Sequence, residues 1–348
     1  MTATARIVGV STDRGERDVI HTSGLTKDFT GGKGPTVHAV RGIDLDIAPG
    51  ELVAVLGPNG AGKTTTIRML TTLIAPTAGT ARVAGADIRQ EPALVRRRIG
   101  YVGQGNGAGH AQRALDELVV QGIVYGLDRR DARRRAGELM AQLDLEPLAK
   151  RKVSDLSGGQ RRRLDVALGL VHAPRLLFLD EPSTGLDPHN RANLWEHILR
   201  LRAQHDMTVV LTTHYLDEAD SMAERVVVVD DGQVIADDTA AGLKHTLAGD
   251  RLDLAVVDAA HAPALAEVLA RAPGARDLEV DGTAVRARVA DAPTALPGVL
   301  AEAALRGIGV ARAEGHQPTL DDVFLTLTGR SLRDEGAQRP AQPEEVAA

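Results

Sequence analysis

The segment over residues 57–65 constrains the fold of this chain more than any other part of its sequence. It contains the pattern Gly-x-x-x-x-Gly-Lys-Thr, after an apolar run typical of a buried strand and before a segment with helical periodicity. In a strand–loop–helix unit of this kind, backbone N–H groups at a helix N-terminus converge on an anion. The sequence therefore predicts an α/β fold with a phosphate-binding loop. The residues of this loop are Gly57, Pro58, Asn59, Gly60, Ala61, Gly62, Lys63, Thr64 and Thr65.

Two side chains of this loop can contribute directly to binding. The Lys63 ammonium can reach the β- and γ-phosphates of a nucleoside triphosphate, and the Thr64 hydroxyl can ligate Mg²⁺. The alternative is a glycine-rich turn without a ligand. We disfavour it because the complete motif occurs in its expected strand–helix context.

A second candidate site follows the apolar run over residues 176–179, which predicts a buried strand. Asp180 and Glu181 come at its carboxyl end, where parallel α/β sheets place their ligands. Asp180 could hold Mg²⁺, through water, and Glu181 could orient and polarise an attacking water molecule. Alone, this pair would favour a solvated turn. Together with a phosphate loop it favours catalysis.

Gln104 and His214 each follow a predicted strand. His214 could contact a γ-phosphate, and Gln104 begins a glycine-rich loop from which its amide could sense Mg²⁺ and the nucleophilic water. Each residue alone is more typical of a structural role, and their positions at strand ends favour function.

A Ser-Gly-Gly-Gln turn begins a further helix at residue 157. Ser157 and Gln160 have the spacing of a capping box. An ordinary capped helix would explain this pattern, with an apolar face of Leu164, Ala167, Leu168 and Val171. However, Gly158 and Gly159 leave backbone N–H groups unobstructed, which favours a second phosphate site.

Five segments occur in an order and spacing that resemble the nucleotide-binding subunits of ABC transporters over residues 20–245. They are GPNGAGKTT, LSGGQ, LLFLDE, STGLD and TTH. The resemblance implies a P-loop ABC ATPase core with antiparallel β and helical subdomains, binding ATP and Mg²⁺. It also implies that Ser157, Gly158, Gly159 and Gln160 close on the ATP held by a second copy, so that two chains enclose two ATP molecules.

The resemblance assigns further roles by position. Thr64, Gln104 and Asp180 are the expected metal ligands, and Glu181, His214 and Gln104 the catalytic residues. Asp187 is the residue that would touch the partner copy. Phe29 stands where the family usually stacks a tyrosine on adenine. In the helical subdomain, RALDEL replaces the more usual TxxENL, so the surface that couples to a membrane partner departs from the family pattern.

The sequence divides into four predicted segments. They are a flexible leader over residues 1–20, a nucleotide-binding domain over 21–245, a C-terminal domain over 246–330 and a disordered tail over 331–348. Residues 91–160 form the expected helical subdomain. The C-terminal segment predicts the order βαββαβ and a last helix, with Asp281-Gly282 as a hairpin turn, hence a small α+β domain of ferredoxin-like type.

The composition excludes several classes of protein. The chain has 348 residues, a formal net charge of −6 and no cysteine. The absence of cysteine excludes disulfide and thiolate chemistry and is typical of a reducing cytosol. The negative charge disfavours binding to nucleic acid. No apolar run reaches the roughly 18 residues of a membrane helix, so we expect any membrane role to come through a partner.

The C-terminal segment PTLDDVFLTLTGR, residues 318–330, resembles the daunorubicin-resistance-type group of ABC ATP-binding subunits. This implies export of a drug, polyketide or lipid-like compound by an ABC-2-type permease, with the chain at the cytoplasmic face of the membrane. The ATP-dependent dimer could be a homodimer or a pair with a similar subunit. The alternatives are an importer ATPase and a soluble ABC ATPase that acts on nucleic acid or ribosomes.

Overall fold

The computed structural model describes residues 19–30, 35–105, 107–109 and 111–329. Most of the predicted leader and the whole of the predicted tail lie outside these residues. The chain divides into two compact units, the first extending to Asp237 and the second starting at Asp238. The predicted boundary lay eight residues later, between 245 and 246.

The first unit begins with three consecutive strands, and strands and helices are mixed along the rest of its chain. The strands are β1 (Ile20–Phe29), β2 (Val37–Ile47), β3 (Leu52–Leu56), β4 (Ala78–Val83), β5 (Ala86–Asp87), β6 (Ile99–Val102), β7 (Leu176–Asp180), β8 (Thr208–Thr213), β9 (Arg225–Asp230) and β10 (Gln233–Asp238). The helices are α1 (Lys63–Leu70), α2 (Pro92–Arg98), α3 (Ala114–Val124), α4 (Arg129–Gln142), α5 (Gly158–Leu170), α6 (Pro188–His205) and α7 (Leu216–Met222).

These strands form two sheets. One has the order β2-β1-β4-β5 with antiparallel pairing. The other has the order β10-β9-β3-β8-β7-β6, and each pair of neighbouring strands from β9 to β6 in this order is parallel. Strands β3, β7 and β8 are buried along their whole length, as their apolar runs predict. Because parallel strands end at a common edge, the residues after β3, β6, β7 and β8 come together there.

The helical segment between β6 and β7 packs apolar side chains of α3 and α4 together. The basic run at the start of α4 lies mainly on a solvated face. Arg134 there pairs with Asp131 and Glu138 at 3.2 and 2.8 Å. This ion-paired arrangement is typical of an exposed helix face. Among the described residues, no helix is long and apolar enough to cross a membrane.

The second unit contains one antiparallel sheet with helices. Its helices are α8 (Ala240–Leu243), α9 (Ala262–Leu269), α10 (Ala292–Leu305) and α11 (Leu320–Thr328), and its strands are β11 (Asp250–Val256), β12 (Arg276–Asp281), β13 (Ala284–Val289) and β14 (Val310–His316). The sheet order is β12-β13-β11-β14, with every pair antiparallel. The predicted element order is confirmed, and this strand order is that of a ferredoxin-like domain.

The hydrophobic core of the second unit lies between this sheet and helices α9 and α10. Helix α11 begins with a capping box in which Thr319 and Asp322 satisfy each other's backbone N–H groups. Its buried side chains include Val323 and Phe324, and it contacts α8 and the short π-helical segment Lys244–Ala248.

Candidate functional site

The phosphate loop connects the end of β3 to the start of α1, and its shape requires glycine. Gly60 and Gly62 have φ angles of 84° and 99°, a region that other residues rarely adopt. A Cβ on Gly57 would lie 2.1 Å from the Val229 carbonyl oxygen, and one on Gly62 would lie 2.4 Å from that of Ala39. The loop backbone is therefore packed closely between β9 and β2, as a preformed cradle for an anion.

Lys63 is the first residue of α1, and its side chain is buried. Its Nζ donates to the carbonyl oxygens of Gly57 and Pro58 at 2.8 and 3.0 Å, and lies 3.8 Å from Glu181 Oε1. The ammonium thus lies within the curve of its own loop. A buried cation held by neutral carbonyls is well placed to exchange them for phosphate oxygens.

Asp180 ends β7 and is 0% exposed. Its Oδ1 accepts hydrogen bonds from the Thr64 and Thr212 hydroxyls at 2.9 and 2.7 Å. Its Oδ2 is buried and accepts no hydrogen bond from the described residues. A carboxylate oxygen without a donor, next to a threonine hydroxyl, fits Mg²⁺, which usually binds one or two protein carboxylates together with phosphates and water.

Glu181 brings several candidates together around one carboxylate. Its Oε2 accepts hydrogen bonds from Gln104 Nε2 at 3.1 Å and Thr184 Oγ1 at 3.2 Å. His214 Nδ1 lies 3.3 Å from the same oxygen. Sequence reasoning predicted Gln104, Glu181 and His214 separately, and the fold places them in contact.

Opposing effects act on the pKa of the Glu181 carboxyl. Burial raises it, whereas His214 and the Lys63 ammonium lower it, and the net result is a pKa below its usual range. The carboxylate is therefore ionised at neutral pH and can accept a proton or a hydrogen bond from water.

The backbone at Glu181 is unusual, with a φ angle of 45°. Its N–H donates to the carbonyl oxygen of Thr212 at 3.2 Å and to the Thr212 hydroxyl at 3.0 Å. A left-handed conformation in a residue other than glycine costs free energy, and it persists where the surrounding structure enforces it. Such strain is concentrated at functional sites.

The Ser-Gly-Gly-Gln turn forms the N-terminus of α5. Ser157 Oγ accepts from the Gln160 N–H at 3.3 Å, and Gln160 Oε1 accepts from the Ser157 N–H at 3.0 Å. This confirms the predicted capping box. Ser157 and Gly158 are exposed, and a Cβ on Gly158 would meet nothing within 4 Å. The expectation of unobstructed backbone is therefore met at Gly158 and not at Gly159, which is buried.

Gly159 connects this turn to the segment that contains Asp187. A Cβ on Gly159 would lie 2.5 Å from the side chain of Asn190. The Asn190 N–H donates to Asp187 Oδ1 at 2.9 Å, and bonds from Asn190 lower the pKa of Asp187. The starts of α5 and α6 are thus in contact, next to each other on the same surface.

Phe29 ends β1 and is 43% exposed. It pairs with Val37 across the sheet, and Ala39, two residues further along β2, is the residue whose carbonyl oxygen faces Gly62. Lys27 Nζ lies 5.0 Å from the centroid of the Phe29 ring. Part of the ring is therefore exposed, and strand β2, with which Phe29 pairs, approaches the phosphate loop at Ala39.

Sequence reasoning missed two buried residues next to this site. Glu218 accepts hydrogen bonds from Thr213 Oγ1 at 2.8 Å and Trp195 Nε1 at 3.1 Å, and also from the Ser183 hydroxyl. It thereby ties the strand end before His214 to the segment after Glu181. The second is Arg162, whose Nη1 donates to the Gly103 carbonyl oxygen at 2.6 Å. The only sequence signal for Glu218 was its position as an acidic residue four positions after His214.

A family model described as "ABC transporter" matches residues 40–184. The chain is 42% identical over 329 residues to a daunorubicin/doxorubicin resistance ATP-binding protein of Streptomyces peucetius, covering 94% of this chain and 98% of the relative. It is 37% identical over 296 residues to a Nod factor export ATP-binding protein of Paraburkholderia xenovorans, covering 85% and 93%.

Among solved structures, the chain resembles an ATP-binding cassette described as a dimer in a post-hydrolysis state with ADP and phosphate. The TM-score is 0.59 at 27% identity, over 63% of this chain and 98% of the other.

Proposed function

Because this chain belongs to the ABC transporter ATP-binding family, with daunorubicin/doxorubicin resistance ATP-binding proteins among its relatives, we propose that its ATPase activity drives export by a separate membrane subunit. The chain is an ATPase of the P-loop type. The observation that carries the mechanism is the convergence of Gln104, His214 and Lys63 on the ionised Glu181 carboxylate.

In this mechanism the phosphate loop binds the triphosphate through its N–H groups, and Lys63 turns from the carbonyls of its loop to the phosphates. Thr64 and Asp180, with Gln104, hold Mg²⁺. The ion supplies neutralisation of charge on the phosphate oxygens. Phe29 stacks on the adenine ring.

Glu181 positions and polarises the attacking water. Gln104 and Thr184 hold one of its carboxylate oxygens, which leaves the carboxylate oriented while it accepts a hydrogen bond from water. His214, in contact with the same carboxylate, is placed to contact the γ-phosphate. The lowered pKa of Glu181 keeps it in the form that can act as a base.

The turn at Ser157, Gly158 and Gly159 binds the ATP of a second copy, with Asp187 at the interface between the copies. Support comes from the exposure of Ser157 and Gly158 and from the contact of the buried Gly159 with Asn190 at the start of α6. Backbone N–H groups at a helix N-terminus favour the phosphates of the partner's nucleotide.

The membrane partner is an ABC-2-type permease, and the chain acts at the cytoplasmic face of the membrane. The exported compound is drug-like, polyketide-like or lipid-like. This specificity is inferred from the relatives, whose names refer to daunorubicin and doxorubicin resistance and to Nod factor export.

The export proposal is tested in inverted membrane vesicles that contain an ABC-2-type membrane subunit and this chain. ATP-dependent accumulation of doxorubicin is expected, and it is lost with the Glu181→Gln variant. Phosphate release without uptake of any drug or lipid probe, despite an assembled complex, would contradict export.

The composite site is tested with two copies of the chain linked in tandem. Lys63→Ala in the first copy and Ser157→Arg in the second place both lesions in one composite site, so the other site remains intact. Both substitutions in the first copy place one lesion in each site, so both fail. We therefore expect ATP hydrolysis to be higher in the first arrangement. The opposite ranking would show that the turn serves its own chain.

A further inference from the structure

Arg162, on the first turns of α5, is 8% exposed and donates hydrogen bonds to backbone carbonyls. Its Nη1 donates to the Gly103 carbonyl at 2.6 Å, and its Nε donates to that of Pro182 at 2.6 Å. Its Nη2 lies 3.2 and 3.4 Å from the carbonyl oxygens of Asp180 and Glu181. One guanidinium therefore connects the β6–α3 loop with the end of β7.

These carbonyls belong to the segments that carry the candidate catalytic side chains. Gly103 directly precedes Gln104, and the other acceptors are Glu181 itself and its two neighbours. The distance between Gln104 Nε2 and Glu181 Oε2 is 3.1 Å. It therefore depends on two backbone segments, and the guanidinium of Arg162 holds both of them. A guanidinium is planar and presents its donors in fixed directions, which a lysine ammonium cannot reproduce.

The strained backbone of Glu181 gives this contact a specific role. The N–H side of the residue is held by Thr212, and Arg162 holds the carbonyl side together with the next carbonyl along. With both sides held, the φ angle of 45° is enforced. The direction of the Cα–Cβ bond of Glu181 follows from this backbone conformation.

Asp165, one turn after Arg162, extends the same arrangement. Its Oδ1 accepts from the N–H groups of Gly107 and Ala108 at 2.9 and 3.2 Å. The loop that carries Gln104 is thus attached to α5 on both sides, by Arg162 before Gln104 and by Asp165 after it.

Burial of this cation is expensive. Burial is the main cause that lowers the pKa of Arg162, and no carboxylate lies within ion-pair distance of it among residues 19–329 as far as the structure describes them. The charges of Asp165 and Asp180 oppose this effect, but a buried charge without a close ion pair still costs free energy. We attribute the presence of this buried guanidinium to the two backbone segments that it holds in fixed relative positions.

We propose that Arg162 is a positioning residue for ATP hydrolysis, which sets the distance and direction between Gln104 and Glu181 from the side of α5. This inference rests on the proposed function, because it assumes that Glu181 acts on the attacking water. Arg162 itself touches neither nucleotide nor water in this role.

The test is Arg162→Lys, with Arg163→Lys as the matched control. Arg163 is the neighbouring arginine and donates to Asn193 Oδ1 at 2.8 Å, on α6. We expect Arg162→Lys to lower kcat by about 10- to 100-fold, the scale of a misplacement of about 1 Å. The Kd for ATP stays within about twofold. Arg163→Lys is expected to keep the kcat of the unmodified chain.

A double-mutant cycle separates positioning from general destabilisation. If Arg162 acts through the Gln104–Glu181 contact, the loss of kcat on Arg162→Lys becomes much smaller in a Gln104→Ala background. The proposal is overturned if Arg162→Lys lowers kcat by the same factor with and without Gln104→Ala. It is also overturned if Arg162→Lys leaves kcat unchanged. If Arg162→Lys fails to fold, Arg162→Gln provides a neutral planar donor, and the same comparison of kcat, Kd and cycle applies to it.

The outcomes also distinguish this inference from the proposed function. If the unmodified chain hydrolyses ATP and Glu181→Gln abolishes hydrolysis, a normal kcat for Arg162→Lys refutes only the positioning role. If the unmodified chain does not hydrolyse ATP with or without its membrane subunit, the proposed function itself fails.

Discussion

The two units of this chain bury different kinds of side chain. The first unit buries Thr22, Lys63, Thr66, Thr71, Arg162, Asp165, Asp180, Glu181, Ser183, His197, Thr208, Thr212, Thr213 and Glu218. In the described part of the second unit, the buried polar side chain is Asp253, and the core there consists of aliphatic side chains between a sheet and two helices.

This difference shows which unit accepts a loss of stability in order to bury polar side chains at a candidate catalytic site. Burial of charged and polar groups costs free energy unless they are paired. The first unit accepts that cost at the ends of its parallel strands, around Lys63, Asp180 and Glu181. The second unit avoids it, and its stability comes from apolar contact between helices and sheet. We infer that chemistry belongs to the first unit, and the following experiments test that division.

The largest effect is expected for Glu181→Gln, compared with Asp253→Asn. The glutamine keeps the shape but cannot act as a base, so kcat for ATP should fall by about 10²- to 10⁴-fold. ATP binding persists, and ATP-bound dimers accumulate in gel filtration. Asp253→Asn makes the same chemical change in the second unit, beside Arg251 at 2.9 Å, and leaves kcat unchanged. Equal losses of kcat in both variants would show that chemistry is not confined to the first unit.

Next comes Leu254→Ala, in the core of the second unit, where Leu254 is 1% exposed. The cavity should cost about 2–5 kcal/mol of unfolding free energy. Calorimetry is expected to show an earlier transition for the second unit, while the ATP-stabilised transition of the first stays in place. One merged transition that shifts as a whole would show that the units unfold together.

Lys63→Ala should weaken nucleotide binding itself. A hydrogen bond to a charged group contributes about 1.5–3 kcal/mol, so we expect the Kd for ATP to rise by about 10- to 100-fold in titration calorimetry. A Kd equal to that of the unmodified chain would exclude Lys63 from the phosphate site.

The smallest effect is expected for Phe29→Ala, with Val37→Ala as its matched control. Both residues are exposed and pair with each other on β1 and β2. Loss of ring stacking should cost about 1–3 kcal/mol of ATP affinity and reduce the difference between ATP and GTP. Val37→Ala should not change either affinity. If Phe29→Ala binds ATP normally, the aromatic ring is only part of the sheet edge.

Much of the site was predictable because its residues are adjacent to apolar runs. Gly57 and Asp180 each follow a continuous apolar run, and His214 follows a shorter run over residues 209–211 and two threonines. Such runs predict buried strands of a parallel sheet, whose ends converge. The element order of the second unit was predictable for a similar reason, since Asp281-Gly282 marks a hairpin between two alternating strands.

The role of Arg162 was not predictable from the sequence. Three consecutive arginines, Arg161, Arg162 and Arg163, look alike in the sequence. In the fold, each contacts a different set of acceptors. Only Arg162 meets carbonyls from segments about 20 and 59 positions away in the chain. Local pattern carries no information on such distant acceptors, and the same holds for Glu218.

The left-handed backbone of Glu181 has a consequence for protein engineering. Asparagine and glycine adopt a φ angle near 45° more readily than glutamate. A library of this chain selected for heat resistance alone should therefore enrich Asn or Gly at this position and yield robust proteins without turnover. Screening that couples survival to catalysis would retain the glutamate, so the position reports which of the two properties a selection rewards.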